Sequence, residues 1–129
     1  MIELYTDGAS RGNPGLSGAG VYIKKGNQQY EYVFPLGETT NHEAEFLAVI
    51  KGLDVCKQSF PGQIISVRSD SRTVIDVIEK NFTKNDKFLP FLETIREYIK
   101  IFPYIFFKWI PEKQNNHADK LAKKAIQMN

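Results

Sequence analysis

The chain has a single cysteine, Cys56, only two histidines, and no uncharged run approaching the ~20 residues that a bilayer crossing requires. One thiol excludes an internal disulfide and a cysteine-based zinc cluster, and it points to a reducing compartment. Cys56 itself reads as a small buried hydrophobe. Charge of either sign is also scarce in excess: 17 basic residues against 15 acidic give +2. That balance admits a polyanionic partner without marking a dedicated nucleic-acid binder. The first residues do not lead from a basic segment into an apolar one, so no secretory signal is expected and a cytoplasmic location is. The Asn81-Phe82-Thr83 sequon is then accidental. With 129 residues, 42% hydrophobic and 25% charged, the composition is that of one globular domain, 1–129, with its own core.

The segment around which the other motifs arrange themselves is Leu4 to Gly15, LYTDGASRGNPG. Met1 to Tyr5 predicts a strand that ends at Asp7, with Gly8 supplying a positive φ for the turn. Taken alone, Asp7 is a turn former. Gly12, Gly15, Gly18 and Gly20 do not form a dinucleotide loop, because they lead into a strand and open no helix. Gly18 to Lys24 and Gln29 to Pro35 predict a hairpin, which with the first strand makes an antiparallel meander. Thr40 and Glu43 have capping-box spacing, so a helix is expected from near Asn41 to about Lys57. Glu45 lies in an apolar part of that helix; a buried carboxylate there needs a counter-charge, a metal or good donors, whereas a solvated one simply suits the helix dipole.

Ile64 to Val67 predicts a short strand ending at Asp70, which by itself reads as the cap of the helix TVIDVIEK. Phe88 to Ile101 predicts a further helix and Tyr104 to Ile110 an aromatic strand. In the last helix Ala118, Leu121, Ala122, Ala125 and Ile126 keep strict helical spacing, with Asp119 in the first turn or so, favourable to the dipole. His117 reads as a solvated helix residue. Strands separated by helices should run parallel, which sets Asp7 and Asp70 on one rim with Glu45 and Asp119 able to project toward it. Four acids so close repel one another unless cations intervene, and an all-oxygen set favours magnesium or manganese over zinc. Two such ions ~4 Å apart suit in-line phosphodiester hydrolysis.

The blocks YTDGASRGNPG, TTNHEAEFLAVIKGL, SDS and WIPEKQNNHADKLAKKA, spread in this order from Met1 to about Ala125, resemble the motif blocks of type 1 ribonuclease H. The resemblance implies an α/β fold: a five-stranded mixed sheet, three antiparallel strands then two parallel, with helices on both faces. It implies an endonuclease that cuts the RNA strand of an RNA/DNA hybrid with two Mg2+ ions, Mn2+ being an alternative, and leaves 3′-hydroxyl and 5′-phosphate ends. Carried over by position, the catalytic metal ligands are Asp7, Glu45, Asp70 and Asp119. Gly12, Asn13, Thr40, Asn41, Ser71 and Arg72 fall near the hybrid; Asn13 and Asn41 also suit turns and caps. A monomer is expected.

The sequence departs from the family pattern in three places. Trp109 to Asn115 holds no histidine where many members carry one, which leaves Glu112 as a substitute or turnover slow. Arg72 stands where many have an amide, and Asn81 to Lys87 is short where some have a long basic insertion. Weak, strongly salt-sensitive binding is therefore expected. Two alternatives follow from these departures: a hybrid-binding module of the same fold with little or no turnover, or a related nuclease for another nucleic acid.

Overall fold

The computed structural model describes Met1–Asn129 and orders the chain as β1 (Ile2–Ser10), β2 (Gly15–Lys25), β3 (Gln28–Thr39), α1 (Asn41–Ser59), β4 (Ile65–Ser69), α2 (Arg72–Lys80), α3 (Leu89–Ile101), β5 (Ile105–Trp109), a 3-10 turn (Glu112–Gln114) and α4 (Asn116–Ile126). The sheet runs β3-β2-β1-β4-β5. β1, β2 and β3 pair antiparallel, and β4 and β5 add on in parallel. This is the mixed five-stranded sheet expected from the sequence. Its parallel half exists because α1 and the α2–α3 pair each carry the chain back to the starting edge before the next strand.

Side chains alternate along a strand, and the two faces of β1 show where the helices lie. Leu4 and Thr6 meet α1: a Cβ on Gly52 would touch both. Gly20, opposite Asp7 on β2, meets α4 instead, where its missing Cβ would stand 2.2 Å from the Ala118 carbonyl oxygen. Helices therefore cover both faces. The main core sits on the α1 side, where Phe46, Val49 and Leu53 pack on Ile2, Leu4, Val21, Ile23 and Val67. Cys56 is fully buried in that core, and burial pushes its thiol up to about 12. No helix is long and apolar enough to cross a membrane.

Two local expectations change. β1 does not stop near Tyr5 but continues to Ser10, because β2 pairs with it as far as Ser10↔Ser17. The parallel ladder with β4 ends at Thr6↔Ser69, so Asp7 stands one residue beyond it while still paired with Gly20. Gly8 has no positive φ; the glycines that do are Gly26, Gly37 and Gly62. Its requirement is steric, since a Cβ at Gly8 would lie 2.3 Å from the Ala44 carbonyl carbon of α1. The helix can come this close to the strand only over a glycine.

Gly20→Ala is expected to cost about 3 kcal/mol or more, or to prevent folding, because the α4 backbone that its Cβ would strike cannot yield. Gly26→Ala, in open space at φ +59, should cost only about 1–2 kcal/mol. Urea denaturation midpoints of the two variants check the contrast.

Candidate active site

Asp7 projects from β1, Asp70 from the residue after β4, and Glu45 from the second turn of α1. One carboxylate oxygen of each lies within 4.8 Å of the others. Asp7 is only 8% exposed. No lysine or arginine pairs with any of the three; His42 approaches from outside, with Nδ1 4.0 Å from Glu45 Oε2. Asp119 adjoins this group rather than completing it. Its carboxyl is within hydrogen-bonding reach of Asp7, and Lys123, one turn along α4, holds its Oδ2 at 2.9 Å.

The electrostatic consequence is large. Burial, followed by the charges of Asp70, Asp119 and Glu45, pushes Asp7 up to about 9. Burial also raises Glu45, against a lowering hydrogen bond from Ser71, and raises Asp70, against a lowering bond from Asp7. Three oxygen donors so close, without a basic side chain among them, fit a hard divalent cation bound by carboxylates.

The neighbouring residues hold these acids in place. Ser71, not Asp70, caps α2: its hydroxyl accepts from the Val74 N–H at 3.2 Å and donates to Glu45. Asp70 is thereby released from the capping role that its local sequence suggests. Ser71 is 6% exposed and has both bonds inside the protein. Arg72 is exposed and stacks on the Trp109 ring at 3.7 Å, and the Trp109 Nε1–H donates to the Asp70 carbonyl at 3.1 Å. Asn115, 1% exposed, donates from Nδ2 to the Thr6 carbonyl at 2.9 Å and lowers Asp70 through a second hydrogen bond. Its Oδ1 is buried with no partner.

Trp109, Asn115 and Lys123 were not among the site residues expected from the sequence. Trp109 is the chain's only tryptophan and Lys123 is spaced i+4 from Asp119, so each left a faint signal. Asn115 left none, being one polar residue in a polar turn.

The remaining candidates form an outer patch. Asn13 Oδ1 accepts from the Asn41 N–H at 3.0 Å, which ties the β1–β2 turn to the start of α1. The Ser10 hydroxyl bonds the Gly12 carbonyl and reaches the Thr39 carbonyl at 3.2 Å. Thr40 and Glu43 form the full capping box. Asn13 and Asn41 are exposed, while Gly12 and Thr40 are half-buried. His117 is an exposed residue of α4, as expected, and in addition stacks on Tyr22 with ring centroids 3.7 Å apart and bonds Glu31, which helps dock α4 on the sheet. The segment after Trp109 carries Glu112, whose charge raises Asp70.

Residues 5–125 match the family described as Reverse transcriptase-like. EbsB of Enterococcus faecalis, provisionally named a hydrolase, is 42% identical over 129 residues, covering 98% of this chain and 95% of EbsB. The Ribonuclease H of Syntrophomonas wolfei is 42% identical over 84 residues, 65% of this chain and 56% of its own length. That of Novosphingobium aromaticivorans is 37% identical over 79 residues, 61% and 53% respectively. The match thus spans little more than half of these ribonuclease H relatives. Among solved structures, RNase H1 from the archaeon Halobacterium salinarum superposes with a TM-score of 0.92 at 30% identity, covering 99% of this chain and 98% of that one. LC11-RNase H1 in complex with an RNA/DNA hybrid gives 0.90 at 30% identity, with the same coverage.

With no metal bound, folded Asp7 keeps its proton up to about pH 9, whereas the unfolded chain loses it near its ordinary 3.8. The folded state binds the additional proton between those values, so the stability it contributes is complete below the lower value and is lost as pH rises toward the higher. In chelator, the thermal midpoint of the wild-type protein should therefore fall on going from mildly acidic to alkaline buffer. Asp7→Asn should flatten that slope and melt about 5 °C higher at the alkaline end, as read by circular dichroism.

Proposed function

Because this chain belongs to the type 1 ribonuclease H family, within the Reverse transcriptase-like group, we propose that it hydrolyses the RNA strand of RNA/DNA hybrids. In this reading Asp7, Glu45, Asp70 and Asp119 hold two divalent ions, Mg2+ or Mn2+, and the products carry 3′-hydroxyl and 5′-phosphate ends. The protein acts as one domain, a monomer, in the cytoplasm. The observation that carries the reading is the buried Asp7 with Glu45 and Asp70 gathered around it and no basic side chain among them. At neutral pH such an arrangement is relieved either by a proton held on Asp7 or by a bound cation, and a cation lets all three carboxylates ionise.

When bound, the ions would activate water and offset charge on the phosphate and the leaving oxygen. The protein's own groups supply position. Asp7 presents its oxygens from a strand paired on both sides, up to one residue below it. Ser71 orients Glu45, Trp109 and Asn115 hold the Asp70 segment, and Lys123 holds Asp119. Glu45 and Asp70 are thereby fixed by neutral neighbours, whereas Asp119 is held by a cation that an incoming ion would have to displace or share.

The substrate class follows from the outer patch. Asn13, Thr40 and Asn41 are short polar side chains, suited to the 2′-hydroxyls and sugar edges of a wide minor groove and not to reading bases. The Gly12 turn brings backbone amides to phosphates, and Arg72, flat on Trp109, turns guanidinium donors outward for the same purpose. Cutting with little sequence preference follows.

A hybrid-binding protein of low turnover is the second reading. It is favoured by Lys123, whose ammonium already neutralises Asp119, and by the absence of histidine from Trp109 to Asn115.

A labelled RNA/DNA hybrid, duplex DNA and duplex RNA, each with Mg2+, with Mn2+ and with chelator, test the proposal. Metal-dependent cutting of the hybrid alone is expected, with Asp70→Asn slowing it by at least ~100-fold. Full activity in Asp70→Asn removes the proposal, and tight hybrid binding without metal-stimulated cutting selects the second reading.

A further inference from the structure

Resting on that nucleic-acid reading, we propose that α4 carries a second substrate contact: Lys120 and Lys124 hold backbone phosphates of the hybrid outside the cleavage centre. The arrangement follows from the helix's own geometry. Ala118, Leu121, Ala122, Ala125 and Ile126 are buried, which leaves one polar arc on the rest of its circumference. At about 100° per residue, the positions going round from Asp119 are Lys123, Asn116, Lys120, Lys124 and His117, in that order. Asp119 adjoins Asp7. The arc thus starts at the acid cluster and turns away from it without a break.

Its lysines do not share one role. Lys123 is committed to Asp119, whereas none of the protein's ion pairs uses Lys120 or Lys124. Both are exposed. With Asn116, His117, Leu121 and Glu31 they line a groove of about 480 Å³ between α4 and β3. The one carboxylate there, Glu31, is already bonded by His117, so the unpaired charge in the groove is positive. Lys124 suits the last turn of α4, where the helix dipole favours a cation, but its i, i+4 placement against Lys120 is repulsive by a few tenths of a kcal/mol. At about 1.5 Å rise per residue they stand ~6 Å apart along the axis, a spacing at which both can reach phosphates of one strand.

A polyanion passing across the acid cluster would meet these cations next. With only +2 overall, a pair of unpaired lysines on one surface is a large share of the chain's net positive charge. Continuity with the acid cluster makes a nucleic-acid backbone the occupant.

The test uses the full chain carrying Asp70→Asn, with and without Lys120→Gln and Lys124→Gln together, and anisotropy titrations of a short hybrid that fills only the cleavage site and of a long one. On the long hybrid the double substitution should weaken binding about 10-fold and reduce the slope of log affinity against log salt by about 2, with a smaller effect on the short one. Lys25→Gln with Lys57→Gln removes the same charge at the opposite end of the sheet and should change neither quantity. Unchanged affinity and slope on the long hybrid overturn the α4 contact, as would equal losses from both double variants. Cleavage by the wild-type chain is measured in parallel. Cutting together with an unchanged slope leaves the ribonuclease H reading standing and removes only the α4 contact. A lost slope without any cutting retains the contact and removes the nuclease. No hybrid binding by the parent overturns both.

Discussion

The constraint on which the rest of the molecule depends is the burial of Asp7 beside Glu45 and Asp70. Taking like charges out of water and placing their oxygens within 4.8 Å is costly, and the structure contains no cationic side chain inside the group to offset it. Without an ion the cost shows as a proton held on Asp7 to about pH 9. Around this strained centre three neighbours each fix a carboxylate: Ser71 on Glu45, Asn115 on Asp70, Lys123 on Asp119.

Such a centre needs rigid walls, and two glycines supply them by having no side chain. Gly8 admits the α1 backbone, so Glu45 can reach a strand residue. Gly20, directly across from Asp7, admits α4 on the other face and brings Asp119 with it. The apolar layer under α1, from Phe46 to Leu53, provides the stabilisation against which the acids' strain is tolerated. The site is thus a seam where two helices, one from each face, meet around the end of a parallel ladder.

Surface chemistry follows the same division. Asn13 and Asn41 present small polar groups beside the start of α1, and Arg72 lies flat on Trp109 beside Asp70. The cations of α4 lie beyond Asp119. A polyanion crossing this surface would meet polar groups, then the acid cluster, then lysines.

The sequence by itself determined the elements whose causes are local, along with the order of the sheet. The Thr40–Glu43 capping box, the helical spacing of Ala118 to Ile126 and the β-rich runs are contacts between residues a few positions apart, so they can be read without coordinates. Strand-helix alternation then forces the parallel half of the sheet, and the motif blocks single out four acids that the structure brings near one another. Only the tertiary structure decided what depends on partners distant in the chain. β1 runs past Asp7 because β2 pairs with it; Gly8 is required by α1 and not by a turn; His117 finds Tyr22 and Glu31 across the sheet. Asn115 lies 109 residues from the Thr6 carbonyl it binds, and Ser71 displaces Asp70 as cap because α2 begins at Arg72, immediately after it. Whether three carboxylates spread over the chain share one buried space is a property of packing, and no window of sequence contains the helices that close around it.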